Sequence, residues 1–176
     1  MLYVQQSLGP DEELVHVGRF HWMYTVNAFM AIVWGVITSI FVIVGAIMIY
    51  NQMGWFPPGL SLLEQIRGIH PMVRIFSFIT FLLGILSFAQ MMVVKATTEI
   101  AITNTRLIYK RGLIARQVGE ISIDRIEGVN VLQSILGRLL DYGRLAIRGM
   151  GIGEVILPPI EQPIKFRQAI EKARSL

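Results

Sequence analysis

The sequence predicts a membrane protein that combines a two-helix transmembrane hairpin with a small, mostly β barrel capped by a C-terminal α-helix. Charged residues make up 16% of the 176 residues, against about 25% in soluble proteins, and the mean hydropathy is +0.56. The first half contains two long uncharged runs, whereas the second half has the alternation and turn spacing of about seven short antiparallel strands. This composition excludes an ordinary soluble globule and a disordered tail, and the lack of cysteine excludes a disulfide-stapled secreted domain.

Two uncharged runs are each long enough to cross a bilayer. No Asp, Glu, Lys or Arg occurs in residues 22–63, and residues 75–94 form a second such run. A helix of about 20 residues, rising ~1.5 Å per residue, spans a hydrocarbon core of ~30 Å. We therefore predict spans at residues 27–50 and 75–94 with an outer connection at 51–74. The polar remainder is too small to enclose both helices in a soluble core.

The distribution of basic residues predicts that both termini lie in the cytoplasm, since cytoplasmic flanks carry the excess of Lys and Arg. An acidic start and an overlong first run argue against a cleaved signal peptide. The hairpin flanks carry Arg19, Lys95, Arg106, Lys110 and Arg111, whereas the connection carries only Arg67 and Arg74.

The spans and their connection contain packing signals but no transport signal. Neither span has an ionisable residue at its centre, which argues against transport by this chain alone. Gly35, Gly45 and Gly84 are expected to be close-packing points. After the break at residues 57–59, the Ser61-x-x-Glu64 spacing predicts a capped short helix in the outer interface, with a plain loop as the alternative.

The second half has the composition of a small β domain. Residues 95–176 hold 13 basic and 8 acidic groups, a net charge of +5, whereas residues 1–94 hold three and four, a net charge of −1. Pro163 opens a C-terminal helix with Phe166, Ala169, Ile170 and Ala173 on its apolar face. A helical turn is expected at 134–140, and strands are expected at 98–103, 106–111, 116–123, 126–133, 143–148 and 154–157, with 13–17 as the candidate first strand.

Three stretches carry a family resemblance. Residues 102–113 (ITNTRLIYKRGL) and 126–143 (IEGVNVLQSILGRLLDYG) resemble the bacterial PH (pleckstrin-homology-like) domains of YdbS-like membrane proteins. Residues 18–22 (GRFHW) resemble the same family, with Phe20 in place of the expected proline. The resemblance implies a non-catalytic PH-like domain at residues 95–176, tethered to the bacterial cytoplasmic (inner) membrane by the hairpin at 22–94, with residues 1–21 as a cytoplasmic segment that contributes a strand. It implies no particular ligand, because such domains share a fold more than a function.

Basic residues near the start of the sheet are the binding candidate. Each such charge near an anionic leaflet contributes about 1 kcal/mol, and positive-inside bias with ordinary solvated strand residues is the competing explanation. An apolar tip at Leu113 and Ile114 is expected either to insert into a bilayer or partner, or to cover the end of the barrel. The predicted site for lipid headgroups or a partner is Lys95, Arg106, Lys110, Arg111 and Arg116.

Other chemistries lack a pattern in this sequence. Gly149, Gly151 and Gly153 precede Glu154 and an apolar strand, which predicts a hairpin tip rather than a dinucleotide loop. His16, His21 and His70 lack a metal-ligand spacing, and Glu120, Asp124 and Glu127 are expected in exposed charge pairs with nearby arginines. No cofactor, metal or nucleic acid is therefore predicted.

The predicted function is a non-enzymatic protein-interaction or assembly module at the membrane. Its expected partners are membrane lipids together with another membrane protein or copies of itself. The alternative is a sensor of anionic phospholipid headgroups that uses the basic face.

Overall fold

The computed structural model describes residues 2–112, 117–151 and 153–175. The chain divides into two compact units. One contains Met1–Tyr24 together with Val93–Leu176, and the other contains Thr25–Met92. The first unit is thus assembled from sequence on both sides of the second.

Helices come first and strands dominate the second half. A 3₁₀ turn at Ile123–Arg125 lies between the fourth and fifth strands. The elements are α1 (Leu2–Ser7), β1 (Leu14–Gly18), α2 (Trp22–Gln52), α3 (Leu62–Gly68), α4 (Pro71–Thr97), β2 (Glu99–Thr103), β3 (Arg106–Arg111), β4 (Gln117–Ser122), β5 (Ile126–Leu132), α5 (Ile135–Leu139), β6 (Tyr142–Gly149), β7 (Gly153–Ile156), β8 (Ile160–Glu161) and α6 (Pro163–Arg174).

Within the unit Thr25–Met92, α2 and α4 touch through small residues. A Cβ atom on Gly35 would lie 2.9 Å from the Cα of Gly84, so the backbones approach as closely as glycine allows. The Ser39 and Ser77 hydroxyls are 2.8 Å apart. Gly45 has open space around it, so its expected packing role was wrong. By length and composition both helices are able to cross a membrane.

The short helix α3 begins where the Ser61-x-x-Glu64 spacing predicted a capped helix. The Ser61 hydroxyl accepts a hydrogen bond from the backbone N–H of Glu64, and the Glu64 carboxylate accepts one from the backbone N–H of Ser61 at 2.8 Å. These reciprocal bonds satisfy two donors that a helix start otherwise leaves free. The Ser61 hydroxyl also donates to the Glu64 carboxylate at 2.7 Å, and this bond, together with the one from the Ser61 backbone N–H, lowers the pKa of Glu64.

The compact unit that holds the strands contains two antiparallel sheets. The first has the order β1-β2-β3-β4, and the second has the order β5-β6-β7, with β8 pairing to the first residues of β6. Among the described residues, Phe20, two positions after the end of β1, forms an isolated antiparallel bridge with Ile160 of β8. The backbone N–H of Glu161 adds a bond of 2.9 Å to the carbonyl of Arg19.

The expectation of about seven strands in a closed barrel was wrong in both respects. The described residues form eight strands in two four-stranded sheets. Pro158 and Pro159 end β7, and the chain then pairs again for only two residues before Pro163, which produces β8. Between β4 and β5 the chain passes through the 3₁₀ turn, and within the described residues these two strands do not pair with each other.

The core lies between the two sheets and beneath α6. Gly18 touches this core closely, because a Cβ there would lie 2.9 Å from the Phe166 ring. The predicted apolar face of α6 is confirmed, with Phe166, Ile170 and Ala173 buried and Ala169 packed beside them. The other buried members are Ile100, Ile102, Leu107, Ile121, Ile123, Ile126, Leu145, Ile147, Leu157 and Ile160.

Candidate functional site

The pleat of β3 divides the predicted basic residues between two surfaces. Leu107 and Tyr109 contact the core between the sheets, whereas Ile108 belongs to a separate cluster on the outer face. Because side chains alternate along a strand, Arg106 and Lys110 share the outer face with Ile108. Arg111, at the end of the strand, follows Tyr109 toward the other side.

Arg106 is held by the N-terminal segment. Its Nε and Nη2 atoms donate to the two carboxylate oxygens of Glu12 at 2.9 and 2.8 Å, the geometry of a bidentate pair. Nη2 also donates to the carbonyl of Ser7 at 2.7 Å, and Nη1 donates to Glu120 at 2.6 Å. The positive charge of Arg106 is therefore compensated within the chain.

Glu12 receives further hydrogen bonds beyond those from Arg106. The hydroxyls of Thr103 and Thr105 donate to it at 2.6 and 3.0 Å, and the backbone N–H of Gly9 donates at 2.9 Å. The bonds from Arg106, supported by these three, outweigh burial and hold the pKa of Glu12 at about 2. Its carboxylate is thus ionised at neutral pH.

Lys110 is also engaged with the N-terminal segment. Its Nζ lies 3.4 Å from Glu99 and 5.3 Å from the centre of the Tyr3 ring. Glu99 accepts the backbone N–H groups of Tyr3 and Val4 at 3.4 and 3.1 Å, which fastens the start of α1. The pKa of Glu99 is lowered by these hydrogen bonds and by Lys110, against the opposing effect of burial.

The N-terminal segment thereby covers the outer face of the first sheet. Val4 is buried against Ala101 and Ile108. Sequence reasoning missed this contact, because its partners lie more than 90 positions apart. The one signal in the sequence was the acidic residue at position 12. It could not be matched to the basic strand β3, because the two come together only after folding.

The remaining predicted residues are divided between described and undescribed segments. Lys95 lies in the last turn of α4 and is half-buried. Arg116, Leu113 and Ile114 lie outside the described residues.

Arg111 meets an arginine that sequence reasoning did not select. Arg111 and Arg144 line one open cavity of about 240 Å³ together with Tyr24, Tyr109 and other residues. Both arginines are exposed, and within the described residues neither forms an ion pair. We call this the arginine cleft. Guanidinium groups recognise carboxylates and phosphates, so the arginine cleft suits a negatively charged oxygen ligand.

Arg144 belongs to the outer face of the second sheet. Its strand neighbour Leu145 is buried in the core, so the alternation of β6 turns Arg144 away from the core. Tyr24, in the first turns of α2, lines the same cavity. The beginning of α2 therefore lies beside this outer face.

A second concave region follows β5 and α6. Two neighbouring cavities of about 240 and 380 Å³ share Arg167 and Glu171 of α6. The first is lined by Ile126, Val129 and Ile170, and the second by Val131, Ile164 and Gln168. We call the pair the β5–α6 groove.

The strand beside this groove has an open edge. Among the described residues, β5 pairs with β6 alone. Such an edge presents backbone N–H and C=O groups to which an extended segment is able to bind. The β5–α6 groove thus combines main-chain donors and acceptors with apolar side chains.

Comparison with known families decides what kind of protein carries these features. The family model described as Bacterial PH domain matches residues 15–174. The chain belongs to the bacterial PH domain family. This confirms the family recognised from residues 102–113 and 126–143. No curated protein and no solved structure matches the chain.

The family match places this bacterial PH domain among interaction modules for protein or lipid, and it indicates no enzymatic family. Within the described ranges, no group of three or more His, Cys, Asp or Glu side chains is arranged to hold a metal ion. His16 packs edge-on against Phe166, and His21 stacks on Tyr142. Gly149 pairs with Gly153 across the predicted hairpin tip, which is confirmed.

Proposed function

We propose that this bacterial PH domain protein is a non-enzymatic, membrane-anchored interaction module that binds an extended peptide segment of a partner protein. The observation that carries this proposal is the β5–α6 groove beside the open edge of β5. In this proposal α2 and α4 cross the bacterial cytoplasmic membrane, with both termini in the cytoplasm.

The apolar surface of the helix pair supports the anchoring. α2 buries only Ala28 and Gly35, and α4 only Ser77 and Gly84. The large apolar side chains point outward instead, as Phe41 does with 77% of its surface exposed. An outward apolar surface of this kind is stable in lipid and costly in water.

The chemistry of the β5–α6 groove supports a peptide ligand. A segment paired with β5 would satisfy main-chain groups at the open edge, and alternate side chains would enter the apolar cavities. Arg167 and Glu171 form an exposed ion pair at 3.0 Å on the rim. This mixed rim favours a polar, extended segment with apolar side chains over a purely apolar helix.

A site-specific crosslinking experiment tests the peptide proposal. A photoreactive phenylalanine analogue is placed at Gln168 of the full chain and irradiated in native membranes. The matched control carries it at Lys172, which is exposed on the same helix but does not line the groove. We expect a protein adduct from position 168 and none from position 172.

Four results would count against this proposal. An adduct with lipid alone, or no adduct at position 168, contradicts it. An adduct composed of this chain's own peptides identifies a second copy as the ligand instead. A lone monomer without a co-purifying protein in mild detergent contradicts the assembly role as well.

The arginine cleft supports a second candidate function, binding of an anionic phospholipid headgroup. We expect the double variant Arg111→Gln/Arg144→Gln of the full chain in detergent to lose bound short-chain phosphatidylglycerol several-fold, as measured by native mass spectrometry. Arg148→Gln is the matched control, because Arg148 is exposed on the same strand outside the cleft. Equal lipid retention by the two proteins would discard the headgroup site.

A further inference from the structure

Helix α5 presents large apolar side chains to the surroundings of its unit. Ile135 is 89% exposed, Leu139 78% and Leu136 58%, and Leu132, shortly before the helix, is 50% exposed. Single exposed apolar residues are ordinary, but a contiguous group marks a surface that binds something. We call these four residues the α5 surface.

Backbone and side-chain hydrogen bonds fix the orientation of α5 on β6. The Ser134 hydroxyl accepts the backbone N–H of Gly137 at 3.1 Å. The Gln133 side-chain amide donates to the carbonyls of Gly137 and Tyr142 at 3.2 and 3.1 Å. A Cβ on Gly137 would lie 2.7 Å from the Tyr142 carbonyl oxygen. The glycine side of α5 therefore packs on β6, which leaves the α5 surface on the opposite, outward side of the helix.

Helix α5 and the neighbouring Leu132 are linked to the start of α2 through residues of β6, within the same compact unit. Tyr142, against which Gly137 packs, stacks on His21 with ring centres 4.9 Å apart and an angle of 19°. His21 directly precedes Trp22, the first residue of α2. Leu132 pairs with Arg144, which shares the arginine cleft with Tyr24.

We propose that the α5 surface inserts into the cytoplasmic interface of the bilayer beside the start of α2. This inference rests on the membrane anchoring in the proposed function. If α2 is a transmembrane helix that begins at Trp22, this aromatic residue lies in the interfacial zone of the bilayer. An apolar surface next to it reaches the boundary of headgroups and acyl chains, where amphipathic elements lie about 5–10 Å deep.

Basic charge at its border favours lipid as the occupant. Arg138 lies within α5 and Arg144 lies opposite Leu132, and both are exposed. Basic residues around an apolar surface meet the anionic headgroups of the cytoplasmic leaflet while the apolar side chains enter the acyl boundary. A second copy of the chain would instead have to bring these like charges together at a self-complementary contact.

Depth-dependent fluorescence quenching in nanodiscs tests the inference on the full chain. The protein has no cysteine, so each single-cysteine variant carries one polarity-sensitive label. Leu139→Cys reports on the α5 surface, exposed Lys172→Cys on α6 is the matched control, and Phe41→Cys reports on the middle of α2. The nanodiscs contain phosphatidylcholine and phosphatidylglycerol, with nitroxide lipids labelled near the headgroup or deep in the acyl chain.

We expect the shallow nitroxide to quench the label at position 139 several-fold more than the label at 172, and aqueous iodide to show the reverse order. Equal behaviour at 139 and 172 overturns the inference, whereas deep quenching at 41 shows that the anchoring still holds. Protection at 139 from both quenchers also overturns it, because protein then covers the surface. Absence of deep quenching at 41 overturns the anchoring and the inference together.

Discussion

The carboxylate of Glu12 and the guanidinium of Arg106 form a bidentate pair at 2.8 and 2.9 Å across 94 positions of sequence. This pair joins the N-terminal segment to β3 and removes Arg106 from the surface available to a ligand. The N-terminal segment thus covers the outer face of the first sheet, and Arg111 and Arg144, which form no ion pair in the described structure, meet elsewhere, at the arginine cleft.

Glu12→Gln is expected to loosen the N-terminal segment. The amide keeps the size of the side chain but leaves the charge of Arg106 partly uncompensated, and losing a charged hydrogen-bond partner costs about 1–3 kcal/mol. Hydrogen exchange of residues 2–13 should accelerate in the full chain in detergent. Glu13→Gln is the control, since Glu13 is exposed and its hydrogen bonds within the described residues come from its backbone. Unchanged exchange in the Glu12 variant would show that the pair is dispensable.

The same carboxylate predicts a pH dependence of the N-terminal segment. Its pKa is about 2 in the folded chain, below the ordinary value of 4.5. A lowered pKa stabilises the folded state above the ordinary value, and this stabilisation is lost as the pH falls from about 4.5 toward about 2. The protection of the residue 2–13 amides against hydrogen exchange, expressed relative to the intrinsic rate at each pH, should therefore fall across this window. The Glu12→Gln variant should show a smaller fall in protection, and an identical fall in both proteins would assign the effect to other groups.

Gly84→Val is expected to separate α2 from α4. A Cβ on Gly84 would lie 2.8 Å from the Ala31 carbonyl oxygen and 2.9 Å from the Cα of Gly35. Overpacking of this kind costs about 1–3 kcal/mol, so the melting temperature in detergent should fall. Gly45→Val makes the same chemical change in α2, at a position where a Cβ would meet no atom within 4 Å other than the local backbone of its own helix. Equal losses in the two variants would mean that helix propensity, not packing, sets the cost.

Gly18→Val is expected to disrupt the contact between β1 and α6. The added Cβ would lie 2.9 Å from the Phe166 ring and 3.1 Å from Ile100, and relief of that clash costs about 1–3 kcal/mol. Urea unfolding in detergent, followed by the circular dichroism of the β domain, measures the loss. Gly128→Val is the strand control, because Gly128 has open space around it. The contact is unimportant if both variants unfold at the same urea concentration.

Local patterns were sufficient for most secondary structure. Strand alternation around Leu107 and Tyr109, the capping box at Ser61 and the apolar face around Phe166 were each predicted within a residue or two, because each depends on neighbours a few positions away. The strand Leu14–Gly18 formed one residue beyond the expected 13–17.

Sheet closure and the basic surface depended on distant residues. Whether β4 pairs with β5 depends on the path that the 3₁₀ turn gives the chain between them. The alternation of apolar and polar residues along a strand carries no information about that path. The predicted basic set treated Arg106, Lys110 and Arg111 as one surface, although the pleat separates them. The partner of Arg111 in the cleft, Arg144, follows it by 33 positions in another sheet.

Hydrophobic periodicity and charge spacing alone were thus enough to predict two long apolar helices, a series of short antiparallel strands and a final amphipathic helix. They act over a few residues, and the backbone converts them directly into helix or strand. The tertiary structure alone decided which charges remained available for binding. Glu12 and Glu99 neutralise Arg106 and Lys110 through contacts with the N-terminal segment, whereas the described structure leaves Arg111 and Arg144 without ion pairs at one cleft. Electrostatic compensation depends on distance in space, and only the folded chain sets that distance.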